Sequence, residues 1–470
     1  MSSGTRFPRF AAALAVLACC PFLVVLFGPT AAAAQPGGGA HSPSTPIEHL
    51  VFLMQENHSF DNYFGSRPGV DGTPADVCMP RVPDDPAQGC VEPFRIGDRG
   101  ITDLDHTEGA FDEQYADGAM NGFVYANEKR GHDGSLAMGY YDDQDLPYYW
   151  NVADQYVLFD RFFTSSKSGS VRNHMYRVTG QPGATGKGES IPPGGWGDIP
   201  TIFDRLQAAG VSWKFYVQNY DPQITFRTRL AQDSGDRAAQ VIWVPLLAYA
   251  RFVDDPELNK HIVDLDQFYE DTADGTLPAV SYIAPSGNSE HPPGSIRAGQ
   301  RLVRGLIGSL MASTVWDSSA FLWSYDDWGG WYDHVPPPKV DAYGYGFRAP
   351  ALMVSAYARK GFVDHTTLDF TSVLKFIEEN WDLEPMAQRD AAATSFMGAF
   401  DFDSPPREPV VLSTQRNVPP VVRLSATPVY LLYSGAVLAV AGLVVVAAFA
   451  TRGRVPGPIP SDRPVPGAGA

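Results

Sequence analysis

A run of 22 residues without a charged side chain, Val429 to Ala450, constrains the folding of this chain more than any other feature. About 20 apolar residues in a helix span the hydrocarbon core of a bilayer, where an open backbone cannot satisfy its polar groups. We therefore predict a transmembrane helix over residues 429–450, with a buried core helix as the alternative. Arg452 and Arg454 follow directly, and positive residues stay on the cytoplasmic side, so the long N-terminal part is predicted to face outward.

The N-terminus has the pattern of an export signal. Arg6 and Arg9 precede an uncharged apolar run from Phe10 to Phe27, and small residues follow it up to Ala34. A positive start, an apolar centre and small residues at the end are typical of a secretory signal peptide. We predict a signal peptide over residues 1–34, cleaved near Ala34, with an uncleaved anchor as the alternative. Cleavage leaves a single span in the cell membrane, with the C-terminus in the cytoplasm.

Between these segments the composition is that of one large folded domain. Hydrophobic residues make up 44% of the chain and aromatic residues 12%, which is enough to fill a core. We predict a linker over residues 35–46, the domain over 47–402, a tether over 403–428 and a tail over 451–470. The net charge of −18 argues against a nucleic-acid partner, because phosphate backbones are bound through an excess of Lys and Arg. The oligomeric state stays open.

Two of the four cysteines remain after the predicted signal is removed. Cys19 and Cys20 lie within the signal, which leaves Cys78 and Cys90. A lone close pair in an exported protein favours a disulfide, and a two-cysteine metal site is the alternative. A disulfide here would fasten a Pro- and Asp-rich surface loop.

The interior of the chain alternates short apolar runs with helical patterns. This alternation predicts an α/β domain with a largely parallel central sheet flanked by helices. The clearest strands are predicted over Ile47–Met54, Val280–Ala284, Ala320–Tyr325 and Ala351–Ser355. A helix is predicted to begin at Asp369, a good N-cap residue.

Three acidic side chains and an asparagine follow two of these predicted strands. Glu56 and Asn57 come after the first strand, and Asp326 and Asp327 come after the third. Open α/β sheets bind their ligands at the carboxyl ends of parallel strands. Three carboxylates and an amide oxygen are hard ligands, which suit a hard or borderline divalent cation. The alternative for each pair taken alone is a loop turn or a helix cap.

Longer strings around these residues are specific enough to carry a resemblance. Residues 56–65 read ENHSFDNYFG and residues 325–338 read YDDWGGWYDHVPPP. They resemble the two hallmark motifs of the phosphoesterase family that contains bacterial phospholipases C and acid phosphatases. The resemblance extends over roughly residues 46–402, and it implies an alkaline-phosphatase-like α/β domain that hydrolyses phosphoesters. Its shorter matches are DLDH at 103–106, MNGF at 120–123, SEHP at 289–292 and GFVDHT at 361–366.

The resemblance assigns a metal site and a nucleophile. Glu56, Asn57, Asp326 and Asp327 match the positions that hold the family's divalent metal ion, whose identity the sequence leaves open. The family's Thr or Ser nucleophile stands three residues before an Asn, commonly in the pattern Gly-Pro-Thr-x-Pro-Asn-Arg. Residues 168–174 read SGSVRNH, so the nucleophile's place falls on Ser170. The prolines of the pattern are absent, and a histidine stands where the pattern has arginine.

Two histidines match the family's active-site histidines. Because histidines titrate near neutral pH, we assign leaving-group protonation to His106 and phosphate contact to His291. His334 and His365 also lie in family motifs, and they are left open as structural residues or as supports behind the site.

The sequence therefore predicts a membrane-anchored enzyme outside the cytoplasm that hydrolyses phosphate esters with a metal-assisted serine. Its substrate is either a phospholipid, as for a phospholipase C, or a soluble monoester, as for an acid phosphatase. The alternative is a surface binding protein that keeps the fold and has lost the chemistry.

Overall fold

The structure is a computed structural model that describes residues 41–183, 190–229, 236–417, 421–422 and 427–452. The predicted signal peptide and most of the predicted tail lie outside these residues. The strands are β1 His49–Gln55, β2 Met79–Pro80, β3 Cys90–Val91, β4 Phe94–Arg95, β5 Gly139–Tyr140, β6 Val157–Phe159, β7 Trp213–Val217, β8 Ile262–Asp264, β9 Val280–Ala284, β10 Ser319–Tyr325, β11 Ala351–Ser355, β12 Phe362–Asp364, β13 Val410–Val411 and β14 Val421–Val422.

Helices connect most of these strands. They are α1 Phe60–Phe64, α2 Glu108–Tyr115, α3 Phe123–Lys129, α4 Pro147–Gln155, α5 Ser170–Thr179, α6 Ile202–Ala208, α7 Asp236–Trp243, α8 Ala250–Asp254, α9 Pro256–Asn259, α10 Asp266–Asp274, α11 Ile296–Ala312, α12 Phe370–Trp381, α13 Gln388–Ala392 and α14 Thr427–Arg452.

Eight strands form the central sheet in the order β12-β6-β11-β10-β1-β9-β7-β8. All neighbouring pairs are parallel except those of β11, which runs antiparallel to both β10 and β6. Strands β1, β9, β10 and β11 are buried almost throughout, as expected for strands covered on both faces. The predicted architecture, a largely parallel sheet flanked by helices, is confirmed.

Each face of the sheet is covered by its own helices. On one face Phe52 of β1 and Phe203 of α6 both pack against Tyr282 of β9. On the other face Tyr149 of α4 packs against Trp323 of β10, and α10 packs on β7. The alternation of side chains along each strand separates these two layers. Large aromatic side chains therefore pack on both faces of the sheet within one core cluster.

The strongest sequence predictions match the structure within two residues. Strands Val280–Ala284 and Ala351–Ser355 have the predicted bounds, and β1 and β10 differ by one or two residues at their ends. Asp369 is the N-cap of α12, and its backbone N–H donates to the Ser372 hydroxyl at 3.1 Å.

Cys78 and Cys90 form the predicted disulfide, with their Cα atoms 5.5 Å apart. The bond links the residue before β2 to the first residue of β3, and these two short strands pair antiparallel. The pair thus fastens a surface loop, and the alternative of a two-cysteine metal site is excluded for this structure.

The C-terminal part of the chain contacts the domain before the last helix begins. Asn151 donates to the carbonyls of Ser413 and Gln415, and Arg416 lies 2.7 Å from the Asp154 carboxylate. Helix α14 then exposes its large apolar side chains. Its segment Tyr430–Ala447 is the one helix among the described residues that is long and apolar enough to cross a membrane.

Candidate active site

The register of the two central strands brings the acidic pairs together. Gln55 at the end of β1 lies opposite Tyr325 at the end of β10. The chain then continues on both strands into the predicted metal ligands, and the Asp326 backbone N–H donates to the Gln55 carbonyl at 3.0 Å. Glu56, Asn57, Asp326 and Asp327 are consequently buried side by side at the carboxyl edge of the sheet.

The backbone fixes one oxygen of Asp326 and leaves the other free. Asp326 Oδ1 accepts hydrogen bonds from the backbone N–H groups of Asn57 and Asp327, at 3.2 and 2.8 Å. Asn57 adopts a positive φ of 62° to make this turn. Gly329 has φ +61° and passes so close that a Cβ there would lie 2.3 Å from the Asn57 carbonyl oxygen. Asp326 Oδ2 is thereby oriented away from the backbone.

A histidine that the sequence analysis did not assign to the site completes this group. His174 Nε2 lies 3.0 Å from Glu56 Oε1 and 3.7 Å from Asp326 Oδ2. One ligand atom from each of these three residues lies within 4.8 Å of the others. His174 is on helix α5, far from both strand ends in sequence. Its departure from the family pattern was the one signal that singled it out.

Several buried oxygens at this edge have no hydrogen-bond partner. They are Glu56 Oε2, Asn57 Oδ1 and Asp326 Oδ2. Burial, together with the charges of Asp326 and Asp327, raises the pKa of Glu56 well above its usual value. Unpaired buried oxygens and mutually repelling carboxylates are unfavourable unless a cation lies among them. The residues present therefore fit a divalent metal ion.

A buried arginine lies behind this group. Arg177 follows His174 by one helical turn and stacks over Phe215 and Tyr282. One of its nitrogens donates to the Trp243 carbonyl, while Nε and Nη1 have no hydrogen-bond partner. Burial lowers the pKa of Arg177 to about 10. Its charge partly offsets the negative charge of the carboxylates but makes no ion pair with them among the described residues.

Ser170 is placed against the same carboxylates. It is the first residue of α5, and its Oγ donates to Asp327 Oδ2 at 3.4 Å. Asn173 holds the preceding loop, since its side chain accepts from the Ser166 N–H and donates to the Ser168 carbonyl. These bonds give a physical reason for the spacing between Ser170 and Asn173. Of the crowded serines in this loop, Ser170 is the one bonded to a predicted metal ligand.

His106 also lies next to the predicted metal ligands, in contact with Asn57. Its Nε2 is 3.3 Å from Asn57 Nδ2, and its Nδ1 is 2.7 Å from the Leu104 carbonyl. Burial lowers the pKa of His106, but the Asp327 and Asp103 carboxylates outweigh this effect and raise it to about 9. His106 and Ser170 both line a cavity of about 350 Å³, which is large enough for a phosphate ester group.

The remaining predicted histidines have different surroundings. The His291 ring centre is 6.4 Å from that of His106, and its Nδ1 is 2.8 Å from the Pro292 carbonyl. His334 is bonded to the Asp61 carboxylate, and His365 to that of Asp160. These two acids lie outside the group of metal ligands, so the structure favours a structural role for His334 and His365.

The residue before His291 is anchored by three tyrosines. Glu290 is buried and accepts hydrogen bonds from Tyr63, Tyr149 and Tyr325, at 2.5 to 2.8 Å. Helix α11 leaves room for it at Gly299, where a Cβ would lie 1.9 Å from Glu290 Oε1. Burial raises the pKa of Glu290 to about 7, although the tyrosines lower it. This anchor fixes the loop that carries His291, and sequence reasoning gave it no role.

Glu290→Gln is expected to change how stability depends on pH. Because the folded pKa is raised, the contribution of Glu290 is fully present below about pH 4.5 and is lost as the pH rises through about 7. A shift of this size corresponds to about 3 kcal/mol between the two limits. Urea unfolding across this range should show the wild type losing that much stability relative to the variant. Glu270→Gln, at an exposed position, is the control, and a parallel pH profile for wild type and E290Q would contradict the prediction.

Comparison with known proteins shows the family of the chain. The phosphoesterase family matches residues 47–384. The chain is 30% identical to phospholipase C A of Mycobacterium tuberculosis, covering 82% of this chain and 83% of that protein. It is 27% identical to non-hemolytic phospholipase C of Pseudomonas aeruginosa, covering 81% of this chain and 60% of that protein.

Similarity to solved structures is weaker. A protein in the alkaline phosphatase superfamily from Vibrio parahaemolyticus aligns with a TM-score of 0.37 and 12% identity, over 76% of this chain and 72% of that one. The architecture is defined by the strand order described above. The family match and the phospholipase C relative, each extending over most of the sequence, show that the chain hydrolyses phosphoric ester bonds. The chain belongs to the phosphoesterase family.

Proposed function

We propose that this chain is a metal-assisted phosphoesterase that uses Ser170 as its nucleophile and acts on phospholipids at the outer face of the cell membrane. The observation that carries the proposal is the position of the Ser170 hydroxyl. It donates to Asp327, which neighbours Asp326 in sequence, and Asp326 Oδ2 is a buried oxygen with no hydrogen-bond partner. Glu56, Asn57, Asp326 and Asp327 would hold the ion.

The ion and the side chains would have different roles in the reaction. A bound divalent ion supplies positive charge that favours the alkoxide form of a serine and neutralises phosphoryl oxygens. Ser170 Oγ loses its proton to water and attacks phosphorus, forming an Oγ–P bond while the bond from phosphorus to the leaving oxygen breaks. Water then cleaves the serine ester and releases Ser170. Asn173 keeps the Ser170 loop in place through its bonds to the loop backbone.

His106 is suited to give a proton to the leaving oxygen. The Leu104 carbonyl holds Nδ1, so Nε2 is the atom that exchanges a proton with the reacting group. His106 lines the same cavity as Ser170. General acid catalysis matters most when the leaving group is a poor one, as an alkoxide is.

Replacing His106 with glutamine should therefore have an effect that depends on the leaving group. We expect kcat to fall about 10²- to 10⁴-fold for an alkyl phosphate ester, which needs the proton. For a p-nitrophenyl ester, whose leaving group is stable as an anion, the fall should be about tenfold or less. Steady-state kinetics on the two substrates measure this difference. Equal losses on both would contradict the role of His106 as the acid.

Two observations favour a phospholipid as the substrate. Both relatives named above are phospholipases C. Helix α14 is apolar enough to anchor the chain, and Arg452 after it favours a cytoplasmic C-terminus. An anchored domain meets lipid headgroups at high effective concentration. The predicted signal peptide supports an orientation with the domain outside.

The full chain in detergent micelles allows a direct test of the activity. Phospholipid in mixed micelles, a soluble phosphocholine diester and a phosphate monoester would each be assayed with and without a chelator. Release of diacylglycerol that stops with chelator supports the proposal. Hydrolysis of the monoester alone would point to a phosphatase. No turnover of any substrate by folded, metal-supplied protein would favour a binding protein on the same fold.

A further inference from the structure

The imidazole of His174 lies inside the group of oxygens that fits a metal ion. We propose that His174 Nε2 is itself a metal ligand, and that this chain's site therefore prefers a transition ion such as Zn²⁺ or Fe²⁺ over Mg²⁺ and Ca²⁺. The family pattern has an arginine at this position, which cannot bind a metal. The inference rests on the proposed function for the existence of a metal site and extends it to the site's chemistry.

His174 Nε2 is close to two carboxylates. The shorter distance is in the range expected between two ligands of one ion, and the longer one is slightly above it. Ligand atoms about 2.1 Å from an ion, separated by 90° to 110°, lie about 3.0 to 3.5 Å from each other. His174 Nε2 lies 3.0 Å from Glu56 Oε1 and 3.7 Å from Asp326 Oδ2. All three side chains are almost completely buried. The nitrogen thus faces two carboxylates at once. A single hydrogen bond to Glu56 would need only one of them nearby.

The unpaired atoms support the same conclusion. Glu56 Oε2 and Asp326 Oδ2 have no hydrogen-bond partner. Both carboxylates face His174 Nε2, and buried oxygens that have no partner are unfavourable. An ion among the three side chains would compensate both oxygens.

The ligand set determines which ions bind best. Oxygen-only sites suit Mg²⁺ and Ca²⁺, which take carboxylates, carbonyls and water. An imidazole nitrogen suits Zn²⁺, Fe²⁺ and other transition ions more than it suits Mg²⁺ or Ca²⁺. Replacing the arginine of the family pattern by His174 therefore changes the preference of the site. The neighbouring Arg177 makes no bond to this group among the described residues, so it leaves the ligand atoms accessible.

Electron spin-echo spectroscopy of the full chain loaded with Mn²⁺ tests the proposal without using activity. An imidazole ligand couples its ¹⁴N nucleus to the manganese spin, so the wild type should show nitrogen modulation. Labelling the histidines with ¹⁵N should change that pattern, which requires no mutation. His174→Gln keeps a hydrogen-bond donor for Glu56 and should remove the coupling. His106→Gln, at the other histidine near Asn57, is the matched control and should retain it.

Competition binding supplies the second readout. The ratio of Zn²⁺ affinity to Mg²⁺ affinity, measured by calorimetry, should fall about 10- to 100-fold in H174Q. Bound Mn²⁺ without nitrogen coupling in the wild type, or an unchanged affinity ratio in the variant, would overturn the assignment of His174 alone. Failure of the folded wild type to bind any divalent metal would overturn both this assignment and the metal-assisted function.

Discussion

Ser170→Ala is expected to lower kcat by about 10³-fold or more, because the variant has no atom that can form the covalent bond to phosphorus. The hydroxyl it removes lies on the surface of the cavity and contacts Asp327. The alanine is a good helix-forming residue at the start of α5. We therefore expect an unchanged unfolding transition and retained metal binding, both measured alongside steady-state kinetics.

Ser168→Ala is the matched control for this variant. Ser168 lies in the same loop, but its Oγ is 3.2 Å from Ser166 Oγ and not against a carboxylate. Its removal should change kcat by less than about tenfold, because the lost contact is a weak hydrogen bond between two hydroxyls. Normal turnover by S170A, or a greater loss in S168A than in S170A, would contradict the choice of nucleophile.

The second large effect concerns Glu56, whose replacement by glutamine should lower activity but raise the stability of the metal-free protein. Glu56→Gln should lower kcat by about 10²-fold or more, because the amide is a weaker ligand for the ion that assists the reaction. The same variant should be more stable than the wild type when no metal is bound. The pKa of Glu56 is raised by burial and by Asp326 and Asp327, so its stability contribution is present at low pH and lost as the pH rises. Removing this carboxyl should therefore stabilise the metal-free protein at pH 7.

Thermal unfolding with and without metal measures this prediction. Added divalent metal should stabilise the wild type strongly and E56Q weakly, because binding to the folded state raises its stability. Glu378→Gln is the control. Glu378 is also buried with both oxygens unpaired, and burial together with Asp390 raises its pKa to about 9. E378Q should gain stability yet keep the full metal response, whereas an E56Q variant less stable than wild type without metal would contradict the account.

The carboxyl edge of the sheet was predictable because it depends on local sequence. An apolar strand that ends in polar residues is visible without a structure, and both acidic pairs follow such strands. Parallel neighbours then require the pairs to meet, as Gln55 and Tyr325 do. The antiparallel direction of β11 was not predictable, since its buried apolar pattern is the same in either direction.

The parts of the site that were missed depend on distant contacts. His174 contacts Glu56 although it lies 118 residues further along the chain. No periodic pattern in the sequence indicates a contact over such a separation. Glu290 is likewise anchored by tyrosines from three separate elements. The roles of Ser170 and the predicted ligands remain proposals, which the structure supports by placing them together at one edge.

The stereochemical course of the reaction at phosphorus tests the central claim most directly. A serine nucleophile requires two in-line displacements, one by Ser170 and one by water, and each displacement inverts the configuration. Hydrolysis of a chiral phosphorothioate ester in isotopically labelled water should therefore proceed with net retention. Net inversion would mean that water attacks the substrate directly, and it would contradict a covalent role for Ser170.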